Sequence, residues 1–438
     1  MALFSNLESD ENSLRRSSSS VLGSATLVAG TTVGAGILAL PLVTTPAGLL
    51  PSTVLMVLSW FYMLISGLLV AEANLQVMQR VGRSQVGLLA TIQNSLGRRG
   101  AIASGAIYIF IHYALLVAYV SRGGGILTAA LRNSSLFLSV PEVLNPWVGH
   151  VLFIGVFGGI LFWGSERFVS GLNSLLVAAV VASFGWLLWL TVEKIEVARW
   201  ATQHWSAAGE IIPVMFVAFV YQNVVPVVTH QLEGDKAKVR WAIVLGSLVP
   251  LTMFAIWNAV ILGSVDWRGG WLDGIEPLEL LRGGLGRPGI GVAASVFSEF
   301  AIATSFIGFV LSLINVFEDI FRDFRPRIFL LRKVVFYALI LLPPLVLSAI
   351  DPNIFLRAVS WAGAFGNSVL FGIIPALMIW KLPADRLGTH LSDQPDDAQK
   401  GKVIAALVFY SNRILLSVMI GIAFVVIIRN ALMKLGLA

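Results

Sequence analysis

Long apolar stretches, separated by short polar loops, make up most of the chain. A helix that crosses a bilayer needs about 20 predominantly apolar residues, and eleven stretches have this character. They cover residues 21–48, 51–77, 101–130, 149–163, 171–192, 207–230, 240–265, 290–318, 333–350, 354–380 and 403–429. The fourth and ninth stretches are short. The pattern predicts an all-α integral membrane protein with about eleven transmembrane helices.

The amino-acid composition agrees with this fold class and limits the kinds of molecule that we expect the protein to bind. The chain is 57% hydrophobic and only 12% charged, whereas soluble domains carry about 25% charged residues. The net charge of +6 would suit nucleic acid, but the basic residues lie in short loops between apolar stretches. We therefore expect a lipid bilayer and a small molecule as partners, and no nucleic acid. No cysteine is present, which excludes disulfides and thiol chemistry.

The loop charges predict an orientation. About two thirds of the 30 Lys and Arg residues fall in segments on the same side as the N-terminus, and positive loops stay inside. Residues 1–20 are polar and unlike a signal peptide, so we expect an unstructured cytoplasmic tail. We also expect 381–402 to form a cytoplasmic loop before the last helix and C-terminus at 403–438. The predicted location is the plasma membrane, the inner membrane if the source is a bacterium.

The first apolar stretch contains a segment that resists helix formation. Gly30, Thr31, Thr32, Val33, Gly34, Ala35 and Gly36 include three glycines and two threonines in seven residues, and both residue types are poor helix formers. Unpaired backbone is tolerated at membrane depth only where protein or water satisfies it. The segment therefore predicts a helix broken near the midplane, which is typical of a transporter binding site.

The spacing of the stretches predicts an inverted repeat. Stretches one to five cover 21–192, and stretches six to ten cover 207–380, a nearly equal length. Because five is odd, the two halves would have opposite orientations in the membrane. The sixth stretch corresponds to the first and carries the polar cluster Tyr221, Gln222 and Asn223, then Pro226. A second broken helix is predicted there.

These patterns indicate a secondary transporter and not an enzyme. We find no Gly-x4-Gly-Lys phosphate loop, no His/Cys metal cluster and no Gly-x-Ser-x-Gly nucleophile turn in the sequence. We expect no cofactor apart from a co-transported proton or sodium ion. Oligomeric state is left open.

Four segments in order resemble the aromatic and hydroxy amino acid permeases, the tryptophan/tyrosine permease group of the amino acid–polyamine–organocation superfamily. They begin at Gly30, Leu69, Ala301 and Gly372 and read GTTVGAGILALP, LVAEANL, AIATSF and GIIPALM. The resemblance implies the LeuT-type fold, five plus five inverted helices and one extra helix. It also implies an aromatic amino acid as substrate, proton symport, and alternating access by rocking of helices 1, 2, 6 and 7 against 3, 4, 8 and 9.

The first break would hold the charged ends of an amino acid. N–H groups at the start of a half-helix attract a carboxylate, here at Ala35, Gly36 and Ile37. Carbonyls of Gly30 and Val33 would suit a cation or the ammonium. An apolar pocket would take the side chain. The full set of predicted substrate-binding residues is Thr31, Thr32, Gly34, Ala35, Gly36, Ile37, Tyr108, Phe219, Tyr221, Gln222, Asn223 and Phe300.

Ion coupling is assigned to oxygens and to carboxylates inside the spans. Thr304 and Ser305 follow the small residue Ala301, and their hydroxyls could bind a hard cation together with the Gly30 and Val33 carbonyls. By resemblance this is the sodium-ligating face of LeuT-type transporters. Sodium is the one metal ion that would suit these residues. Glu72 and Glu299 are candidate proton carriers.

Other interpretations stay open for each feature. The glycines could serve only close helix packing, the hydroxyls could bond back to their own helix, and Glu72 or Glu299 could be structural. His112 is a candidate titrating group that could equally be a core residue. For the whole chain, the alternatives are a carrier of another neutral amino acid, a sodium-coupled carrier, a ligand-binding receptor or channel, and a membrane enzyme using Glu299 or His112.

Overall fold

The computed structural model describes residues 7–10, 13–16, 20–34, 36–82, 85–131, 145–264, 288–320, 329–351, 354–382 and 412–435. Apart from one short hairpin and the loops, this part of the chain is helical. Strands β1 (Leu7–Asp10) and β2 (Ser13–Arg16) pair antiparallel in the N-terminal tail, with Glu8 opposite Arg15 in the register. The prediction that this tail is unstructured is therefore wrong for these residues, because opposite charges in register favour cross-strand pairing.

Thirteen helical segments follow within the described residues. We label them α1 (Val21–Thr32), α2 (Gly36–Thr44), α3 (Leu49–Val81), α4 (Leu88–Leu131), α5 (Asn145–Trp163), α6 (Glu166–Thr191), α7 (Ile211–Ala218), α8 (Val225–Gln231), α9 (Lys236–Ser264), α10 (Pro288–Ile320), α11 (Phe329–Ile350), α12 (Ile354–Lys381) and α13 (Arg413–Lys434). Short 3₁₀ turns connect α6 to α7, and another, Gln222–Val224, lies between α7 and α8.

Both predicted breaks are present. The axes of α1 and α2 differ in direction by 55°. Gly34 lies between them and Gly36 begins α2, and glycine disfavours a continuous helix. Helix α7 ends at Ala218, with Phe219 as its C-cap, and α8 starts with Pro226 in its first turn, where the missing proline N–H costs nothing. Hence each of these spans consists of two half-helices.

The helices form two groups around the breaks. In the first group, α1 and α3 pack along α9, and α2 packs on α7. In the second group, α6 packs along α10, and α4 packs along α5 and α11. A large shared core of buried side chains joins the groups. We call the side where α1 begins the N-terminal face, and the other side the opposite face.

The number and ends of the spans differ in part from the prediction. Nine described helices are long and apolar enough to cross a membrane, and the bent pair α1–α2 would make a tenth. The fourth predicted span is present as α5, but its apolar part, Trp147–Trp163, is shorter. Eleven spans and the division into halves 21–192 and 207–380 therefore stay predictions. Helix α4 begins earlier than predicted because Gly97 (φ 81) permits a kink that joins an extra segment to it.

The C-terminal prediction lies partly outside the described residues. The last span was predicted at 403–429, but the described helix α13 covers Arg413–Lys434. Asn412 begins this helix by accepting hydrogen bonds from the N–H groups of Ile414 and Leu415. The cytoplasmic loop predicted at 381–402 falls almost wholly outside the described residues.

Within α12, residues Ala362–Ile373 adopt a π-helical conformation between two α-helical ends. Ser368 Oγ donates to the Gly363 carbonyl five residues earlier, at 3.1 Å, as this wider winding allows. Ser66 of α3 donates to the Phe371 carbonyl. Long π segments are rare and often occur at functional sites, so this part of α12 is a candidate for ligand contact.

Candidate functional site

The first break exposes backbone and ties its hydroxyls back to α1. Thr31 and Thr32 donate through Oγ1 to the carbonyls of Leu27 (2.8 Å) and Val28 (2.7 Å). This leaves the hydroxyl oxygens with free lone pairs but fixes the side chains. Helix α2 starts at Gly36, and the first N–H groups of any helix have no acceptor within it. The Ile37 N–H already donates to the Gly34 carbonyl at 3.2 Å, so the break offers the remaining backbone donors near Gly36.

A close backbone contact joins the first break to the second. A Cβ atom at Gly36 would lie 2.9 Å from Cα of Ala218, the last residue of α7. At Gly34, a Cβ atom would lie 2.5 Å from Ser305 Oγ of α10. Only glycine fits both positions without a shift of neighbouring atoms, because both distances are below ordinary contact. The glycines therefore bring the two breaks and α10 together at one place.

The second break is anchored by two of its side chains. Tyr221 donates through its hydroxyl to the Met63 carbonyl of α3 at 3.2 Å, and Gln222 Nε2 donates to the same oxygen at 3.1 Å. Gln222 Oε1 also accepts the N–H of Tyr221 at 3.0 Å. Both residues are buried. Their role in the structure is to fix the break against α3, so neither faces a cavity.

A small cavity of about 60 Å³ lies where the breaks meet α4, α10 and α12. One side is formed by the breaks, and the other side is mainly apolar and aromatic. Its lining residues are Thr31, Thr32, Gly34, Gly36, Tyr108, Ile111, His112, Leu115, Tyr119, Val217, Val220, Asn223, Ser305, Phe309, Asn367, Leu370 and Phe371.

A second cavity of about 860 Å³ adjoins the first and shares five lining residues with it: Thr31, His112, Asn223, Ser305 and Phe309. It extends to the N-terminal face, where Glu318 and Arg332 form an ion pair of 3.1 Å at partly exposed positions. The shared residues mark the junction where a ligand could contact both the breaks and the wider chamber.

Between the small cavity and the opposite face of the protein, large side chains fill the space. Phe216, Phe219 and Trp257 are at most 1% exposed. Trp257 Nε1 donates to the Ile37 carbonyl of α2 at 3.0 Å, and the Phe219 ring lies 5.3 Å from that of Phe254. The conformation is therefore open toward the N-terminal face and closed toward the other.

Two amide oxygens at the small cavity lack a partner. Oδ1 of Asn223 and Oδ1 of Asn367 are buried and accept no hydrogen bond from the part of the chain that the structure describes. Buried acceptors are usually satisfied, and both residues line the cavity. The pair thus presents acceptors for the donors of a ligand.

His112 has a defined tautomer. Its Nδ1 lies 2.8 Å from the Tyr108 carbonyl, an oxygen that can only accept, so the proton is assigned to Nδ1. The ring stacks between Tyr108 (centroids 3.9 Å apart) and Phe309 (4.8 Å). A neutral His112 consequently leaves Nε2 as an acceptor at the junction of the two cavities.

The structure brings most of the predicted ion-coupling oxygens together. Gly30, Val33, Thr304 and Ser305 all line the large cavity. Thr304 Oγ1 donates to the Ala301 carbonyl at 3.1 Å, which is the back-bonding expected under the structural alternative. Ala301 itself is buried next to this wall and is not a lining residue. Among the described residues, no group of three or more His, Cys, Asp or Glu side chains could hold a metal ion.

Both carboxylates lie away from the cavities. Glu72 is 4% exposed at its side chain and is paired with Lys236 Nζ (3.1 Å) and Arg240 Nη2 (3.7 Å) of α9. This pairing favours the structural interpretation, a carboxylate that braces α3 against α9. Glu299 is half-buried on α10 and lines neither cavity.

Of the predicted substrate-binding residues, six line the small cavity: Thr31, Thr32, Gly34, Gly36, Tyr108 and Asn223. Five others do not, namely Ile37, Phe219, Tyr221, Gln222 and Phe300. Tyr221 and Gln222 bond α3, and the side chains of the other three pack into or against the core. Ala35 lies outside the described residues.

Sequence reasoning predicted Tyr108 and considered His112 on α4, but it missed the other lining residues of α4 and those of α12. On α4, the lining residues Tyr108, Ile111, His112, Leu115 and Tyr119 follow helical spacing on one face, so periodicity could have identified them. On α12, Asn367 is a polar residue within an apolar span, and such residues are often functional. Phe309 of α10 and Leu370 and Phe371 of α12 had no distinguishing signal.

Comparison with known proteins settles the family. The profile of the tryptophan/tyrosine permease family matches residues 17–419. The chain belongs to this family. Its members are transport proteins and not enzymes, which confirms the prediction of an integral membrane transporter.

Two relatives and one solved structure are similar to this chain over most of its length. The tryptophan-specific transport protein of Shigella flexneri is 29% identical over 83% of the chain and 87% of the relative. The tyrosine-specific transport system 1 of Haemophilus influenzae is 28% identical over 82% and 88%. The crystal structure of MhsT in complex with L-phenylalanine has a TM-score of 0.58 at 18% identity, covering 94% of the chain and all of MhsT. This likeness shows the LeuT-type fold.

Proposed function

We propose that this protein is a secondary transporter that moves an aromatic amino acid, tryptophan or tyrosine, together with a cation across the inner membrane. The N-terminal face would be cytoplasmic. The observation that carries the proposal is the meeting of two broken helices at a cavity with one polar and one aromatic side. The names of the two relatives, a tryptophan-specific and a tyrosine-specific transporter, support the substrate class.

The polar side suits the charged ends of an amino acid. The substrate carboxylate would bind the N–H groups at the start of α2, near Gly36, where the helix dipole is positive. The ammonium would donate to the Asn223 amide oxygen and to carbonyls at the end of α1. Asn223 lies in a break that is held before binding, since the neighbouring residues Tyr221 and Gln222 are bonded to α3. A preorganised site loses less entropy on binding.

The other side suits a flat, largely apolar ring. Ile111, Leu115 and Leu370 provide aliphatic contact, and Tyr108 and Phe309 provide aromatic contact. The small cavity is smaller than an indole, so the ring would also occupy the shared junction with the large cavity. A rotation of Phe309 or Tyr108 would enlarge this place.

Alternating access is supported by the unequal packing of the two faces. The cavity reaches the N-terminal face, while Phe216, Phe219 and Trp257 fill the space toward the opposite face. In our proposal the group containing α1–α3 and α7–α9 rocks against the group containing α4, α5, α10 and α11. Rocking would separate the packed aromatic side chains and close the large cavity.

The coupling ion is proposed to be a proton, with sodium as the alternative. Gly30, Val33, Thr304 and Ser305 offer oxygens on one wall, which suits sodium. Glu299 of α10 and His112 at the cavity junction are candidate proton carriers, whereas the ion pairs of Glu72 make it a weaker candidate.

Uptake into proteoliposomes tests the proposal. The purified protein is reconstituted, and uptake of radiolabelled tryptophan is measured in competition with each of the twenty amino acids, under a proton gradient or a sodium gradient alone. We expect saturable uptake with tryptophan and tyrosine as the strongest competitors, abolished by a protonophore. Strongest competition by a non-aromatic amino acid would overturn the substrate class, and binding without gradient-dependent accumulation would indicate a receptor or channel.

A further inference from the structure

Asn367 is a buried polar residue for which the transport cycle above gives no task. It lies in the π-helical segment of α12, is 1% exposed and lines the small cavity. Its Oδ1 accepts no hydrogen bond from the described residues. A buried acceptor left without a donor is costly, so a ligand donor placed at this oxygen would be favoured over a ligand that lacks one.

The orientation of the amide group is fixed. Nδ2 of Asn367 donates to the Phe216 carbonyl of α7 at 3.2 Å, and a flipped amide would instead place two acceptors together. The Phe216 ring stacks on Tyr62 of α3 at 4.9 Å with an angle of 6°. Since Tyr62 in turn donates to the Met419 carbonyl of α13 at 3.0 Å, three helices hold this anchor.

The surroundings of Asn367 indicate that its Oδ1 contacts the side chain of an amino acid ligand and not its charged ends. The charged ends of an amino acid have partners at the breaks, where Gly36 and Asn223 lie. The lining that α12 adds next to Asn367 is apolar, namely Leu370 and Phe371. A single acceptor in apolar surroundings gives specificity, because it recognises one donor and disfavours ligands that lack it.

We propose that Asn367 Oδ1 accepts the hydrogen bond of the substrate ring, the indole N–H of tryptophan or the phenol O–H of tyrosine. This inference rests on the proposed function, and it makes Asn367 the residue that distinguishes tryptophan and tyrosine from aromatic amino acids without a ring donor. Phenylalanine would fit the same apolar space and leave Oδ1 unsatisfied.

An isosteric substrate pair tests this directly. 3-Benzothienylalanine matches tryptophan in shape but carries sulfur in place of the indole N–H. For the wild-type protein we expect tryptophan to compete for uptake about tenfold better than the sulfur analogue, and tyrosine better than phenylalanine. In Asn367→Leu, which retains a similar volume, both ratios should fall to about one, mainly through weaker binding of tryptophan and tyrosine.

Ser368→Ala is the matched control. Ser368 is the next residue of the same segment and is buried. Within the described part of the chain its hydroxyl bonds its own helix alone, and it lines neither of the two cavities. It should leave both ratios unchanged, and a change equal to that of Asn367→Leu would assign the effect to the π segment in general. Equal competition by tryptophan and the sulfur analogue in the wild type overturns the inference without any variant. Failure of the wild type to transport either aromatic amino acid would instead overturn the proposed function.

Discussion

The two broken helices use opposite means to reach one cavity. The first break, between α1 and α2, presents backbone: its glycines allow close approach, and its threonine hydroxyls bond their own helix. The second break, between α7 and α8, buries Tyr221 and Gln222 against α3 and leaves Asn223 at the cavity. The difference shows that a helix break can either bind a ligand or be anchored to a neighbouring helix. In the second break, adjacent residues do both: Tyr221 and Gln222 anchor it, and Asn223 lines the cavity.

The largest effect is expected where the two breaks touch. In Gly36→Ala the new Cβ would lie 2.9 Å from the Ala218 backbone, and such overpacking costs about 1–3 kcal/mol. Tryptophan uptake should fall at least about tenfold. The matched control is Gly185→Ala on α6, which lines neither cavity and where a Cβ would meet no atom of the described residues within 4 Å. Equal uptake by both variants in proteoliposomes would show that the contact between the breaks is dispensable.

Asn223→Leu tests whether Asn223, a residue of the second break that lines the cavity, binds the substrate. Because the variant removes a buried acceptor at the proposed ammonium position, the apparent affinity for tryptophan should fall about tenfold. Thermal stability in detergent should stay the same, since Asn223 accepts no hydrogen bond at Oδ1 from the described residues. A lower melting temperature with unchanged affinity would place Asn223 among the supporting residues.

Gln222→Leu tests the anchored side of the same break. The Tyr221 N–H loses its acceptor, and a buried unsatisfied group costs about 1–3 kcal/mol. The Met63 carbonyl loses one of two donors and keeps the Tyr221 hydroxyl. The melting temperature should fall. Tyr221→Phe loses only one hydroxyl bond to Met63, so a smaller decrease and less than about a threefold change in substrate affinity are expected. A large affinity loss in Tyr221→Phe would restore the sequence-based prediction that Tyr221 binds substrate.

Thr304→Ala gives the smallest expected effect on substrate affinity, because Thr304 does not line the small cavity. If the coupling ion is sodium, loss of one hydroxyl oxygen from the wall formed with Gly30 and Val33 should lower the apparent sodium affinity several-fold. If it is a proton, uptake should keep its dependence on the proton gradient. Ion-titrated uptake distinguishes the two, and an unchanged ion dependence under both gradients would remove Thr304 from coupling.

The sequence was sufficient for the fold class and for both breaks. Apolar length identified the spans, and the run of Gly30, Thr31, Thr32, Val33 and Gly34 identified the first break because glycine and threonine disfavour helix. Pro226 and the polar cluster before it identified the second. These signals are local, so no tertiary information was required.

The direction in which individual side chains point could not be predicted in the same way. Helical periodicity gives a face only while the helix is continuous, and the break after α7 resets the phase before Tyr221, Gln222 and Asn223. Likewise, the π-helical winding of Ala362–Ile373 departs from 3.6-residue spacing. The helical period therefore could not predict that the Asn367 side chain lines the cavity. The ion pairs of Glu72 could not be predicted for another reason, since its partners Lys236 and Arg240 are far away in the sequence.

The π-helical segment of α12 also bears on how such a pocket could be retuned over evolutionary time. Its hydrogen bonds span five residues where an α-helix spans four. Deletion of a single residue there could restore ordinary winding without shortening the membrane crossing, and would turn Asn367 away in one step. Insertions and deletions in this segment, more than point changes, would then be the events that redirect which ring the pocket selects.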